Sequence, residues 1–587
     1  MCSIYGIMYY KNCNKNFLEE KMKKMSKETI YRGPDETEIK FFKNAAIGIN
    51  RLSIIGKIGK NAMVQNSNDG IYSVSNCEIT NFKDLCKDIN TFVNFDFDCD
   101  CDCDSKVIIP LYKKYGDNFV KKLGGMFAIA MYNSNTNTIC LWRDALGVKP
   151  LYYYSCKDCF IFASEIKAIY AVLENKPEIK FNCIDNILRY GFNPGSDTIF
   201  YNIKKLMPGE KITVIDGKII KKKYWKLKKN KKYNVNEIDK NNHKKELKNL
   251  LENIVAENCY SDVPGGIFFS GGLDSSIITA MSLKNSNSKY KVPISIRFMP
   301  NSVEDEKYVS FLEKTLNTKI EWVTITPEIA RNTLEELVKY LDEPLENASH
   351  IGTYLMSKKA KELGLKTVIT GDGSDEFFIG YERQECWFKY KNPKKIYPSL
   401  SCIIPKSECE KLYNKEFKKK IKSKKYIQEN VDNIDDALLL ERGERLPEYH
   451  NMRLDRMTMA NSIEAKVPFE DVRIADYSLN ISLEELMQGT KKGMLKEIAK
   501  DWLPKEVIYR KKSIFPSLTN EWISGMEGIN WVKKILLNDG SEIKTIFNME
   551  NLKKYIEEHA KGKKEHGRQL WAIIVLELWL QNLKNYK

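Results

Sequence analysis

The sequence predicts a multidomain α/β protein: a mostly antiparallel first half, then a parallel sheet covered on both faces, then a largely helical end. Three observations carry this reading. Residues 125–168 hold four short, alternating or aromatic segments separated by turn residues. Between residues 265 and 370, strand-like runs alternate with longer helical stretches. From about residue 430 the pattern is helical almost throughout. At 587 residues the chain is also too long for one hydrophobic core.

In the first half, GMFAIAMYN, TICLWRD, PLYYYS and CFIFASE have the length of strands, and the turn signals at 133–137 and 147–150 predict antiparallel hairpins. KITVIDGKII adds a hairpin turning at Asp216–Gly217. A helix is expected over residues 17–27. Residues 1–225 read as one domain, 226–246 as a basic linker, and 247–587 as a second domain. There, GGIFF (265–269), VPISIRF (292–298), KIEWVTI (319–325) and KTVIT (366–370) alternate with helices, the rhythm of a parallel sheet.

Composition excludes several classes. No run approaches the roughly 18 apolar residues of a membrane span, and the N-terminus lacks the basic and apolar regions of a secretory signal. Fifteen cysteines without scaffold-like spacing predict reduced thiols and a cytoplasmic location. The net charge of +16 comes mainly from lysine runs at 226–248 and 394–425. These lack interleaved aromatic residues, so they read as a solvated linker and helix faces, with no nucleic acid partner expected. FDFDCDCDCDSK (95–106) alternates Asp with Cys99, Cys101 and Cys103. That spacing is tighter than structural zinc sites use, and the segment reads as a solvated acidic insertion.

IFFSGGLDSSIITA carries the most specific signal. An apolar strand enters Ser270-Gly271-Gly272-Leu273-Asp274-Ser275-Ser276 and leaves as a helix. Glycines let backbone N–H groups turn towards an anion, and the helix N-terminus adds its dipole. The serine hydroxyls add donors, whereas Asp274 would repel phosphate unless it held a cation such as Mg2+. The Gly-Lys-Ser/Thr ending of a Walker loop is missing. TGDGSDEFFIGY (370–381) is a second acidic, glycine-rich loop after a strand. At the carboxyl ends of parallel strands both loops would face one crevice.

Together with the opening MCSIYG, these loops resemble the glutamine-hydrolysing asparagine synthetases, in which an N-terminal-nucleophile amidotransferase domain is fused to an ATP pyrophosphatase domain. The resemblance spans roughly residues 1–520. It runs through YRGPDE (31–36), NRLSIIG (50–56), SNCEITN (75–81), LGGMFAIAMYN (123–133), RDALGVKPLYY (143–153) and FASEIKAI (162–169). It continues through DEP (342–344), TGDGSDE (370–376), LDRMTMANSIEAKVPFED (454–471) and KKGMLKEIAKDWLP (491–504).

The resemblance implies an αββα antiparallel sandwich followed by an ATP pyrophosphatase sheet. It implies hydrolysis of glutamine at Cys2, whose α-amine, once Met1 is removed, accepts the thiol proton without a histidine. Glutamine would be held by Arg51, Leu52, Ser53, Ile54, Ile55, Asn76, Cys77, Glu78 and Asp104. Arg51 would grip the α-carboxylate, Glu78 and Asp104 the α-ammonium, and Asn76 with the Cys77 N–H would form the oxyanion hole. Ammonia would pass to a second site where ATP, a substrate, adenylates aspartate. There Ser270, Gly271, Gly272, Asp274, Ser275 and Ser276 would bind pyrophosphate, and Phe268, Ile296, Thr370 and Gly371 would line the adenylate pocket. Asp372 would govern the acyl-adenylate, Lys492 would face the phosphates, and Asp274 and Asp375 would hold Mg2+. Arg32 would border the ammonia route or be purely structural, and the family often forms homodimers.

Several positions depart from the family pattern. Cys77 replaces a glycine, so a left-handed φ there would cost of order 1 kcal/mol and impair the oxyanion hole. Tyr31 replaces a histidine, and Arg297 a glycine beside the adenylate strand. Lys466 replaces an arginine and Glu470 a leucine, and KKSIFPS (511–517) departs from the usual loop; these are expected nearest the acceptor. They leave open the same amide-forming chemistry on another carboxylate. A scaffold without catalysis and a nucleic-acid-modifying enzyme are weaker readings: the first leaves the nucleophile and phosphate loop without purpose, the second the glutaminase domain.

Overall fold

The computed structural model describes residues 2–11, 13–56, 58–59, 63–90, 102–228, 240–299, 303–421, 431–510 and 518–585. Cys99 and Cys101, linker positions 229–239 and residues 511–517 lie outside the described residues.

The first half builds two six-stranded antiparallel sheets. One has the spatial order β10 (Ile203–Lys205), β8 (Tyr152–Ser155), β9 (Cys159–Ala163), β1 (Cys2–Tyr9), β3 (Ala45–Arg51) and β2 (Glu36–Phe41). The other runs β12 (Lys218–Lys223), β11 (Glu210–Ile215), β7 (Thr138–Arg143), β6 (Gly125–Asn133), β5 (Ile71–Ile79) and β4 (Gln65–Asn66). The hairpins β6–β7, β8–β9 and β11–β12 are present, but the turn at 147–150 makes no hairpin: it carries the chain from β7 in one sheet to β8 in the other. Asp216 and Gly217 both have positive φ, 48° and 74°, as a two-residue turn matched to strand twist requires.

β1 explains why its sequence is almost continuously apolar. Cys2, Ile4 and Met8 face the other sheet and pack with Ile47, Ala128 and Phe162. Tyr5 and Ile7 pack outward with Leu18, Met22 and Met25 of the helix Lys15–Thr29. With period 2, a strand covered on both sides keeps no polar face. The helices Phe82–Asn90 and Ile108–Tyr115 cover the second sheet through Phe82, Leu85, Ile108 and Leu111. The layers are therefore helix, sheet, sheet, helix.

The second half centres on a five-stranded parallel sheet ordered β15 (Glu321–Ile325), β14 (Tyr290–Phe298), β13 (Gly265–Phe268), β16 (Thr367–Ile369) and β17 (Glu464–Lys466). The three residues of β17 carry no readable period, and the sequence did not suggest a fifth strand. β13 and β16 are neighbours in register, Ile267 opposite Ile369, so the loops leaving them emerge side by side. From residue 434 the chain is mainly helical. Between the helices Ile434–Leu440 and Asn451–Met459 it widens into a π-helix at Glu441–His450, around Pro447.

One continuous core joins the halves: Leu52, Ile79, Phe82 and Val148 cluster with Phe269, Val467 and Phe469. Among the described residues, no helix is long and apolar enough to cross a membrane.

Candidate active sites

The first site forms where β1, β3 and β5 meet. Cys2 begins β1 directly opposite Arg51, the last residue of β3. Its backbone N–H donates to Asn76 Oδ1 at 3.0 Å. Asn76 Nδ2 is buried and has no acceptor, so a donor is left over close to the thiol-bearing residue. A recess partly open to solvent is lined by Cys2, Arg51, Leu52, Ile54, Ile55, Cys77, Glu78 and Asp104, with Cys103 and Ser105. Ser53 is turned aside: its N–H donates to Asp35 and its hydroxyl to the Gly56 carbonyl, at 2.8 and 2.6 Å.

Two charged residues that the motifs did not single out for this site are tied into it. Glu36 pairs with Arg51 at 2.9 Å, and the other arm of that guanidinium donates to the Ile55 and Gly56 carbonyls. Lys466, expected beside the acceptor, instead pairs with Glu78 at 2.5 Å and donates to the Tyr260 carbonyl at 2.8 Å.

Cys77 lies inside β5 opposite Phe127, and its φ is not left-handed. The strain expected of a glycine replacement is therefore absent, because a strand residue needs no positive φ. Its thiol lines the recess 3.9 Å from Asp104 Oδ2. Burial, then the Asp104 charge, pushes that thiol well up, so it stays protonated. Burial also raises Cys2, opposed by the Leu52 backbone and Arg51. Asp104 accepts the Ile79 N–H at 2.8 Å, yet burial and the Glu78 charge raise it to about 6.

The second site is the crevice between the loops after β13 and β16. Gly271 has φ 71°, which lets the first loop turn tightly. Ser270 and Ser275 hydroxyls bond at 3.0 Å, and Ser270 Oγ accepts the Gly272 N–H at 3.3 Å. Ser276 is fully buried beneath the loop. The loops touch: a Cβ on Gly371 would stand 2.9 Å from the Ser275 nitrogen. Phe268 and Thr370 are buried at the crevice floor and Ile296 is half-buried.

Lys492 joins the two loops, with Nζ 2.5 Å from Asp274 Oδ2 and 2.5 Å from Asp375 Oδ1. Burial opposes its charge, but the two carboxylates override it and hold the ammonium above its usual range. A Cβ on Gly380 would fall 1.7 Å from Asp375 Oδ1 and 2.4 Å from Lys492 Cε, so a larger residue there must displace both side-chain ends. Asp372 accepts hydrogen bonds from Thr370 Oγ1 and Arg453, which also reaches Thr353 at 2.8 Å. Arg453 was not singled out in the sequence, although it directly precedes the quoted LDRMTMANSIEAKVPFED. Arg510 also escaped notice; it stacks 3.5 Å above the ring of Tyr308, whose hydroxyl donates to the Gly271 carbonyl.

Arg297 is exposed and donates to Thr324 at 2.8 Å. Glu470 is buried against Gly373 and accepts from Asn451 at 2.7 Å, with Oε1 unpaired. Burial drives its carboxyl far above the ordinary range.

Asp274 and Asp375 are hard oxygen donors already gathered on one cation, which suits Mg2+ binding through two carboxylates plus substrate phosphates. Among the described residues no group of three or more His, Cys, Asp or Glu is placed to hold a metal alone.

Between the sites lies a buried ion-pair network. Arg32 donates to both oxygens of Asp455 at 2.7 and 2.9 Å and to Glu165 at 2.8 Å. Its Nε approaches the Cys2 carbonyl at 3.4 Å. Arg456 holds Asp455 and Asp342, both at 2.5 Å. Lys149 pairs with Glu464 at 2.6 Å, and Lys205 with Glu448 at 2.9 Å. Tyr31 donates to Glu165, so its replacement of a histidine keeps a polar link here.

A glutamine amidotransferase domain model matches residues 1–225, and an asparagine synthase model matches residues 246–581. The chain is 26% identical to asparagine synthetase [glutamine-hydrolyzing] 1 of Bacillus subtilis, over 99% of this chain and 96% of that one. It is 26% identical to asparagine synthetase [glutamine-hydrolyzing] 3 of the same organism, over 95% and 93%. Against asparagine synthetase B [glutamine-hydrolyzing] of Escherichia coli it is 27% identical, over 90% and 84%.

Proposed function

The chain belongs to the glutamine-hydrolysing asparagine synthetases, ligases that use ATP, and on that premise we propose how its two sites divide the work. Residues 1–225 act as the glutaminase, 226–246 as the linker, and 247–587 as the synthetase. At the first site the Cys2 thiolate attacks the side-chain amide carbon of glutamine, and the developing oxyanion takes hydrogen bonds from Asn76 Nδ2 and the Cys77 N–H. Collapse expels ammonia and leaves a thioester, which water hydrolyses to glutamate.

At the second site the side-chain carboxylate of aspartate attacks the α-phosphorus of ATP, giving β-aspartyl-AMP and pyrophosphate. Ammonia displaces AMP to give asparagine. Ser270, Gly271, Gly272 and Ser275 cradle the pyrophosphate, and Lys492 meets its growing charge. Mg2+, held by Asp274 and Asp375, would neutralise phosphate charge. Arg453 orients Asp372 beside the reacting carboxyl. The observation that carries this reading is that the Cys2 recess and the two-loop crevice occur in one chain and are joined through the buried Arg32–Asp455 pair.

The test is pyrophosphate release with Mg-ATP and glutamine, with and without aspartate, beside Cys2→Ala. Aspartate-dependent release, with Cys2→Ala active only on added ammonia, is the expected result. The buried Glu470 beside Gly373, its carboxyl raised by burial, favours one second reading, a carboxylate acceptor other than aspartate. Glutamine hydrolysis without aspartate-stimulated pyrophosphate would select it.

A further inference from the structure

We propose that Lys466, supplied by the synthetase half, is a positioning residue of the glutamine pocket: it crosses the domain boundary and fixes the Glu78 carboxylate that receives the α-ammonium. This rests on the glutaminase reading above and adds to it a pocket wall that the first domain does not contain.

The geometry is specific. Lys466 ends the edge strand β17 and is 1% exposed, and Glu78 is 3% exposed. The 2.5 Å contact is reinforced by the Tyr260 carbonyl at 2.8 Å, and the ring of Tyr290 lies 5.6 Å from the ammonium. Glu78 lines the recess beside Cys77, Cys103 and Asp104, with Arg51 across it. Glu464, on the same strand as Lys466, is committed to Lys149. Two carboxylates, Glu78 and Asp104, therefore share one buried pocket, and Lys466 is the ammonium bonded to the first. Without it, like-charge repulsion between two buried carboxylates would drive a proton onto the pair, and a protonated carboxyl cannot hold an ammonium ion.

Lys466 also abuts the second site through its backbone: its carbonyl accepts the Thr370 N–H at 3.0 Å. A methionine keeps that backbone bond and removes only the charge.

The experiment follows kcat/KM for glutamine hydrolysis against pH in the full chain, with ammonia-dependent pyrophosphate release as the control. For the unaltered protein the acidic limb is expected near pH 6, where Asp104 titrates. Lys466→Met should move that limb up by at least one pH unit and raise KM more than it lowers kcat. Lys466→Arg should restore the limb, and ammonia-dependent release should stay within about twofold in both. An unmoved limb, or an equal loss of both activities, overturns the proposal. If Lys466→Met does not fold, the charge-neutral pair Glu78→Gln/Lys466→Met replaces it. Its limb should fall below that of the unaltered protein, because the Glu78 charge that raises Asp104 outweighs the Lys466 charge removed with it, and an unchanged limb overturns the proposal. If the unaltered protein hydrolyses no glutamine, the glutaminase reading itself fails, and the proposal with it.

Discussion

Replacing Lys492 by methionine isolates what one ammonium does at the synthetase site. Asp274 and Asp375 oxygens each lie 2.5 Å from Nζ, so they are at most about 5 Å apart. At an effective dielectric of about 20, two carboxylates at that distance repel by about 3 kcal/mol. Both are only 19% exposed, so solvent relieves little of this. The substitution thus removes the cation facing the leaving pyrophosphate and sets the two loops against each other. Pyrophosphate release with aspartate and Mg-ATP is expected to fall by about 10²- to 10³-fold, the loss typical when a preorganised charge donor is removed. Glutamine hydrolysis by the same preparation should stay within about twofold. Arginine should not fully rescue, since a planar fork does not reproduce the compact ammonium that both carboxylates meet at 2.5 Å. Release within threefold of the unaltered protein would refute the argument. A parallel loss of glutaminase activity would show that the change is not local.

Four further outcomes can be measured. Without nucleotide, Lys492→Met should bind Mg2+ more tightly than the unaltered protein in titration calorimetry, because its two carboxylates have lost their resident cation. Asp455→Asn leaves the buried Arg32 guanidinium short of a partner, and should lower unfolding free energy in urea by about 3 to 5 kcal/mol. Asp104, raised to about 6, has opposite effects on function and on stability. Its folded-state pKa lies above the unfolded one, so its contribution to stability is full below about pH 4 and is lost as pH rises through 6; glutamine capture needs the ionised form, so kcat/KM should fall about tenfold per pH unit below 6, and Asp104→Asn should abolish that limb. Gly380→Ala places a methyl 1.7 Å from Asp375 Oδ1 and should reduce pyrophosphate release while sparing glutaminase activity.

What the sequence revealed was local. The hairpins of β6 to β9 and the SGGLDSS loop are written in neighbouring residues, by alternation in one case and by glycine and serine spacing in the other. Three things were not legible. The three-residue β17 is a strand only because β16 lies beside it. The Cys77 position suggested strain by analogy with glycine, and only the pairing of β5 with β6 shows ordinary extended backbone. Glu78, Asp372 and Arg32 each take one partner, Lys466, Arg453 and Asp455, from residues 453 to 466, and no periodicity relates positions so far apart.

The buried network also sets an order of events during synthesis. Arg32, Arg143, Lys149 and Lys205 all belong to the first half, and each is buried against an acidic residue between 448 and 464. Arg32 waits 423 residues for Asp455. At about 5 to 20 residues per second that is about 20 to 85 s of translation. For that interval the finished strands of the first half present a cationic face with no lid. Its final closure waits for residues 448–464, which lie in the last quarter of the chain.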